Sequence, residues 1–572
     1  MGTISFTDML ENEKKLKELK NSIKENLNSI LHNPNKKEIT NIEEQYHKYK
    51  NLLETSFVDD KDEFFQKECN IKICSAKIKL GVSLDIEYLK KVVDNINWLN
   101  KSIGEFAEEE PQDANDLYDE IIVPNASIIY YKICELSYNT QEYNNIIKYA
   151  KDILWLTPYN VNIIKEYITQ DNLSNLYLYL AEALFYNGDF DNAIKCYDNA
   201  IDTVPKSVEK YIKKAISLFK IKDYKNAEGI YYELLNPSNK FEVQDYKLQI
   251  YTNLCKMYIE VKNVAKAKEF LNKLKDILSD SSDNKNAILF LEARIYDIES
   301  DYQKAIIKYK QIVQNELQNS MNNIYLGTCL VKSGNADGYN FIKKGISAQL
   351  SELSVNNIPS SLYMYRPINE RTIAVIYDQY LTFSEPRDFN DPLDSRYCLE
   401  QVQEKEIKKV LSDIKIRCFS SGENAEPLNT LMWAHYAENH TGVAIEYEFL
   451  PDFMNRINKE FFFNSVKYSQ TLIHNMHLIE FKDYVKAFFT KDPYWQYENE
   501  YRLLTFKDKL ENGYKLNNCI KLKSITFGYK TSNEYKKLIK NIVTNKDCLL
   551  YEIIIPDMQI APFKLKRQLI NI

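Results

Sequence analysis

Leu180–Pro205 reads LAEALFYNGDFDNAIKCYDNAIDTVP, and the spacing within it decides the fold of the N-terminal part. Small residues stand at Ala181, Ala193 and Ala200, a turn at Asn187-Gly188-Asp189, aromatics at Phe190 and Tyr197, and a terminating proline at Pro205. Ala181 and Ala193 lie on either side of the turn. Two antiparallel helices joined so briefly can approach closely only where small side chains face each other. Moving on by 34 residues lands on Ala215, Tyr224, Ala227 and Tyr231, so the unit repeats. Ala293 with Ala305 is a further copy and Cys255 with Ala267 a looser one. Tyr197, Tyr231 and Tyr309 would fill the groove against the next unit. Cys134, Tyr143 and Pro158 mark a unit upstream, and Gly327 with Gly334 a degenerate one near the end.

Period and residue types together closely resemble the tetratricopeptide repeat. The resemblance implies an all-α helical solenoid, with about six units between residues 123 and 350. Such an array buries its core by stacking and leaves a concave surface for a protein or peptide partner. Its bland alternative is a spacer with no specific ligand. Residues 1–122 also read as helical, with charged heptad-like stretches such as Glu11–Lys24, but show no phased repeat.

Past residue 350 the helical period breaks. Short alternating runs appear at Leu362–Arg366, Tyr380–Ser384, Ile414–Phe419, Gly442–Phe449, Arg502–Phe506, Ile520–Phe527 and Leu550–Ile555, each rich in β-branched or aromatic residues. Helical stretches lie between them at Leu399–Leu411, Thr430–Glu438 and Glu480–Thr490. Strands and helices without regular alternation predict an α+β domain with a mixed or antiparallel sheet over 351–572. The chain thus divides into a helical region 1–122, repeats 123–350 and this domain.

Four segments of the domain have unusual character. They are Leu362-Tyr363-Met364-Tyr365-Arg366, Phe389-Asn390-Asp391-Pro392-Leu393-Asp394, Met432-Trp433-Ala434-His435-Tyr436 and Trp495-Gln496-Tyr497-Glu498-Asn499-Glu500-Tyr501-Arg502. With Cys418-Phe419-Ser420-Ser421 and Gly442–Glu446, they closely resemble an uncharacterised bacterial family, domain of unknown function 2971, across roughly residues 360–555. That family supplies no chemistry, so the residues carry the argument.

On a strand, Glu498 and Glu500 would point to one face and raise one another's pKa. The order of an early arginine, a central serine and a late Glu-x-Glu is similar to that of ADP-ribosyltransferases. This resemblance implies NAD as substrate. Arg366 would anchor the NAD phosphates or ribose, Ser420 would shape the pocket, and Glu500 would be catalytic, with Glu498 two residues before it. In a second branch of those enzymes, Tyr436 would stack on the nicotinamide. The sequence departs from the pattern at Ser420-Ser421, which lacks a full Ser-Thr-Ser, and at Met432–Tyr436, which reads as helix. Two readings stand side by side. In one, a solenoid recruits a partner to an NAD-consuming effector of a bacterial conflict or stress system. In the other, the chain is a non-catalytic adaptor, and Arg366, Glu498, Glu500 and Arg502 form a structural ion-pair network. Asn390-Asp391-Pro392 reads as a turn, and Trp433 and Trp495 as core residues.

Composition narrows the classes. The net charge of −7 falls entirely before Ser351, and no basic stripe suggests nucleic acid. Ten scattered cysteines without a CxxC pair suit buried free thiols in a reducing cytoplasm. No signal-peptide core or membrane-spanning run occurs, so a cytoplasmic location is expected and no membrane partner. His435 with His440 and His474 with His477 lack the spacing of a metal site, so no metal is expected. Kinase, P-loop and hydrolase motifs are absent.

Overall fold

The computed structural model describes residues 6–32, 34–53, 60–107, 111–156, 168–205, 207–239, 241–278, 282–315, 320–355, 357–389, 391, 394–395, 399–400, 402–422, 426–469, 481–513, 515–516, 520–544, 546–555 and 565–570. Two compact units are present, Met1–Tyr246 and Lys247–Ile572.

The first unit is all-helical. Its opening helices, Phe6–His32, Lys36–Leu53 and Asp60–Lys79, share a core of Ile23, Ile42, Tyr49, Phe65 and Cys69. A second core runs from Ile71 to Tyr197, through the helices Ile86–Phe106, Val123–Thr140, Tyr143–Leu156, Gln170–Tyr186 and Phe190–Thr203. Val208–Lys220 and Tyr224–Leu235 follow. The second unit begins with three further helix pairs, Lys247–Glu260 with Val264–Ile277, Ser282–Ile298 with Tyr302–Asn315, and Ser320–Lys332 with Gly338–Leu353.

The small residues sit where the spacing requires. Ala181, Ala193, Ala215, Ala227, Ala293 and Ala305 are fully buried, as are Cys255 and Ala267. In four successive pairs the second helix starts the same way. Asp189, Asp223, Asn263 and Asp301 each accept, through the side chain, the backbone N–H three residues on. Each cap satisfies a donor the helix leaves unpaired. The residue before it turns left-handed, with φ of 81° at Gly188, 63° at Lys222, 56° at Lys262 and 62° at Ser300. Only the first of these is a glycine. The other three carry a side chain in a conformation that costs roughly 1–2 kcal/mol, which the surrounding caps hold in place. Replacing Ala227 with Leu is expected to overpack its helix pair and destabilise the first unit by about 1–3 kcal/mol. An unchanged melting temperature would contradict this packing.

The last pair meets through glycines instead of alanines. A methyl group on Gly327 would meet the Gly338 carbonyl oxygen at 2.5 Å and Ile342 Cγ1 at 2.7 Å. The residue facing Gly327 is therefore Gly338, whereas Gly334 forms the turn with φ 91°. The same pair is built into the core of the following domain. Ile324, Ile342, Ile346 and Leu350 pack in one cluster with Val410, Leu411, Ile416, Phe462, Phe488 and Phe506. Val355 donates its N–H to the Phe463 carbonyl at 2.8 Å, and Ser354 Oγ accepts the Phe463 N–H at 2.8 Å.

The domain is α+β. Its main sheet orders its strands as Lys566–Leu569, Leu549–Ile554, Ile520–Phe527, Val443–Phe449, Tyr363–Arg366, Ile414–Ser420, Glu500–Phe506 and Phe461–Ser465. In sequence order these strands are β1 Tyr363–Arg366, β3 Ile414–Ser420, β4 Val443–Phe449, β5 Phe461–Ser465, β8 Glu500–Phe506, β10 Ile520–Phe527, β11 Leu549–Ile554 and β12 Lys566–Leu569. Among the described residues of this sheet only β10 and β11 pair in parallel, so the sheet is mixed. Two short two-stranded ladders complete it, β2 Leu381–Thr382 with β9 Lys515–Leu516 and β6 Lys467–Tyr468 with β7 Thr490–Lys491. Strand β5 lies in Phe461-Phe462-Phe463, a run without alternation, because both of its faces are covered. No helix among the described residues is long and apolar enough to cross a membrane. The eight described cysteines carry no disulfide, and six are buried.

Candidate functional site

Strand alternation gives the sheet two chemically different faces. Tyr363 and Tyr365 point into a cluster with Met432, Trp433 and Ala444. Met364 points the other way, into a core with Val375, Val443, Ile445 and Leu503. On the tyrosine side, direct cross-strand pairing sets one polar row across five strands. Glu500 pairs with Ser420, Ser420 with Tyr363, Tyr363 with Glu446, and Glu446 with Ser524. Polar groups buried this way must find partners among themselves.

The row has a charged station at each end. At the β8 end, Arg502 is completely buried and clamped between two carboxylates. It donates from Nε to Glu500 Oε1 at 2.8 Å, from Nη1 to Asp394 Oδ1 at 2.8 Å and from Nη2 to Asp394 Oδ2 at 2.6 Å. Ser395 Oγ and the Phe488 carbonyl take further bonds from Nη1, at 3.1 and 3.0 Å. Lys491 Nζ stands between the two glutamates, 2.7 Å from Glu498 Oε2 and 3.5 Å from Glu500 Oε2, and 4.5 Å from the centre of the Trp495 ring. Tyr436 donates its hydroxyl to Glu498 Oε1 at 2.5 Å. At the other end, Glu446 accepts from Ser361 at 2.9 Å and Ser524 at 2.6 Å, and pairs with Lys523 at 2.7 Å and Arg567 at 3.4 Å.

Local structure brings Glu498 in differently from a strand. Pro493–Glu498 is a 3-10 turn capped by Asp492, and Asn499 is left-handed with φ 44°. Strand β8 begins only at Glu500. The two carboxylates converge on Lys491 because the chain turns at Asn499, not because of a two-residue pleat. Asn429 fixes the facing helix Thr430–Tyr436, capping its first N–H groups and donating to the Tyr497 carbonyl at 2.5 Å.

Nor do the carboxylates simply raise each other. Burial pushes Glu500 upward, but Arg502 and Lys491 outweigh it and hold the carboxyl at about 2. Burial also pushes Glu498 upward, with Lys491 opposing and Glu500 reinforcing, and the net shift is up. Two adjacent carboxyl groups with pKa values driven apart are the arrangement that separates a proton-holding acid from a permanent anion. Lys491, despite burial that favours the neutral amine, is held charged by both glutamates.

Of the residues singled out in the sequence, Ser420, Tyr436, Glu498 and Glu500 come together. Arg366 does not. It follows Met364 on the alternating strand and faces the opposite side of the sheet, so the expectation of one pocket holding all five is corrected. The guanidinium beside Glu500 is that of Arg502. Lys491, Asp394 and Ser395 were missed. Lys491 follows the apolar Ala487-Phe488-Phe489 just before the Trp495 motif, and Asp394 stands in a segment that reads as a turn. Of that turn, Asn390 and Pro392 lie outside the described residues, as do His474 and His477. His440 stacks against Trp433 at 6.5 Å, and His435 is exposed beside Tyr436 and Tyr497. Among the described residues no three His, Cys, Asp or Glu side chains gather as a metal site. Trp433 is fully buried and donates to the Pro427 carbonyl at 2.6 Å, whereas Trp495 is only half-buried.

Two protein families match the chain. One, described as a protein of unknown function (DUF2971), matches residues 432–503, which hold Trp433, Tyr436, Glu446, Lys491, Glu498, Glu500 and Arg502. The other, described as anaphase-promoting complex, cyclosome, subunit 3, matches residues 123–234 in the helical repeats. No curated protein sequence matches. Among solved structures, MamA from Desulfovibrio magneticus RS-1 is 14% identical, with a TM-score of 0.25, covering 31% of this chain and 96% of its own. YrrB, described as a TPR protein with an unusual peptide-binding site, is 14% identical with a TM-score of 0.22, covering 31% and 86%. A Rap protein complexed with competence and sporulation factor is 14% identical with a TM-score of 0.29, covering 58% and 88%.

Proposed function

We propose that this is a two-part protein whose helical repeats bind a protein or peptide and whose C-terminal domain is the effector. The binding surface is the concave face built by the first helix of each repeat. In the first unit that face would use Tyr131, Tyr138 and Tyr179, whose rings lie 4.5 to 6.4 Å apart on successive first helices, and Lys213. Half-exposed tyrosines offer rigid contact area with a hydrogen-bonding tip, which suits peptide recognition.

The observation that carries the effector reading is the carboxyl pair on Lys491. Glu498, whose carboxyl is shifted upward by burial, accepts the Tyr436 hydroxyl, while Glu500 remains an anion directly across from Ser420. The reaction proposed is ADP-ribosyl transfer from NAD. Glu500 would stabilise the positive charge that develops on the nicotinamide ribose as its bond to nicotinamide breaks. The experiment is nicotinamide release from NAD by the whole chain, compared with Glu500→Gln and Tyr436→Phe. Release abolished by the first substitution and reduced by the second is the expected result. Absence of release from folded wild-type protein would sink the NAD reading.

A second reading is favoured by a specific observation. Both oxygens of Glu500 are already engaged by Arg502, and Arg366 is not at the site. On this reading the network is structural and the chain is an adaptor. Nicotinamide release separates the two.

A further inference from the structure

The face of the sheet opposite Glu500 holds positive charge of a different kind. Elsewhere in the domain buried cations are neutralised by carboxylates: Arg502 by Asp394 and Glu500, Lys491 by Glu498, Lys415 by Glu385 and Arg567 by Glu446. Arg366 and Arg417 lie half-buried on the adjacent strands β1 and β3. Arg417 Nη1 donates to Met364 Sδ at 3.1 Å, and its Nη2 to Thr382 Oγ1 at 3.1 Å and Ser384 Oγ at 3.5 Å. Its Nε donates to the Thr382 carbonyl. All these acceptors are neutral, so they orient the guanidinium without cancelling its charge.

Arg366 is less satisfied still. Its Nη1 is buried and has no hydrogen-bond partner among the described residues, and the same holds for the Tyr447 hydroxyl. Arg371, exposed in the first turn of the helix Glu370–Asp378, adds positive charge that disfavours both Arg366 and Arg417 further. Among the described residues, none of the three arginines forms an ion pair with a carboxylate. Burial, followed by the neighbouring Arg366, lowers Arg417 to about 10, and burial together with Arg371 lowers Arg366, while Tyr447 opposes in both cases.

Like charges held together away from water are costly unless a counter-charge arrives. A bound anion removes that cost and uses the orphaned donors. Guanidinium forks match tetrahedral oxyanions with paired N–H bonds. A single carboxylate would leave most of the charge unanswered, whereas a phosphate or diphosphate carries two or more negative charges. We propose that Arg366 and Arg417, with the Tyr447 hydroxyl, form an anion site for a phosphate-bearing small molecule. This site is separate from the Glu498–Glu500 cluster and does not rest on the NAD reading.

The test is calorimetric titration of the full chain with inorganic pyrophosphate and with inorganic phosphate, alongside Arg366→Met, Arg417→Met and Tyr447→Phe. Wild type should bind pyrophosphate more tightly than phosphate and melt at a higher temperature in its presence. Losing a charge-assisted contact should weaken binding about tenfold or more in each arginine variant. Without ligand, the methionine variants should melt at or above the wild-type temperature, because they remove unanswered charge. No binding by wild type would overturn the proposal, as would unchanged binding by the arginine variants. Variants that melt several degrees lower and still bind would show that the arginines are structural. Pyrophosphate binding without nicotinamide release would support this site while removing the NAD reading of the other.

Discussion

Replacing Arg502 with Met is expected to destabilise the C-terminal domain by about 3–5 kcal/mol, because it leaves buried carboxylates without their cation. That is a large part of the ~5–15 kcal/mol by which a domain is normally stable. Arg502 is fully buried and holds Asp394 with two bonds and Glu500 with two more. Lys491 remains in the variant, but it lies 3.5 Å from Glu500 and already serves Glu498. Acid dependence identifies the cause. In the native protein Glu500 sits at about 2, below its unfolded value of roughly 4.3, so its contribution is complete above that value and is lost as pH falls through about 2. Glu498 is shifted the other way, so what it contributes is present below ~4.3 and is lost as pH rises through its folded value. Without Arg502, burial dominates at Glu500 and pushes its carboxyl upward. Urea melts at pH 7 and pH 5 should therefore show the variant's deficit shrinking at the lower pH. A deficit that is constant with pH, or a loss below 1 kcal/mol, would mean the clamp does not bear on stability.

A fragment beginning at Ser351 is expected not to fold, whereas one beginning at Lys247 should melt cooperatively. The cut at residue 350 looks natural in the sequence, where the helical period ends. It removes Ile324, Ile342, Ile346 and Leu350, all fully buried against β3, β5, β8 and the helix Lys405–Ser412. At about 1.5–3 kcal/mol for each large apolar side chain, the loss matches the stability of the whole domain. Soluble yield and circular-dichroism melting of the two fragments decide the matter. A cooperative transition in 351–572 would show that the shared cluster is dispensable.

The repeats were legible because what makes them is local. A pair such as Ala181 and Ala193, or Ala215 and Ala227, meets across a turn of a few residues, so the spacing along the chain already states the contact. All seven alternating runs likewise hold strands, six of them in the main sheet and one as β2, because alternation is a property of each strand alone. The Phe461–Phe463 strand carries no such signal, since burial on both faces erases the alternation that marks a half-exposed strand.

The candidate site was only half legible. Residue types alone pointed to Ser420, Tyr436, Glu498 and Glu500, and these do meet. What the sequence could not state was the face of the sheet each strand turns to the interior, because a shift of one residue in register exchanges the faces. Pairing among strands far apart in the chain put Arg366 on the side away from Glu500 and gave it Arg417 as a neighbour. The same pairing brought Asp394 and Lys491 to Arg502 and the glutamates from loops with no periodic signal. The amino-acid sequence by itself determined the helix pairs, most strands and the polar residues of the domain. Tertiary structure alone decided which charges share a face, and that the last helix pair belongs to the domain's core, since both depend on contacts between distant segments.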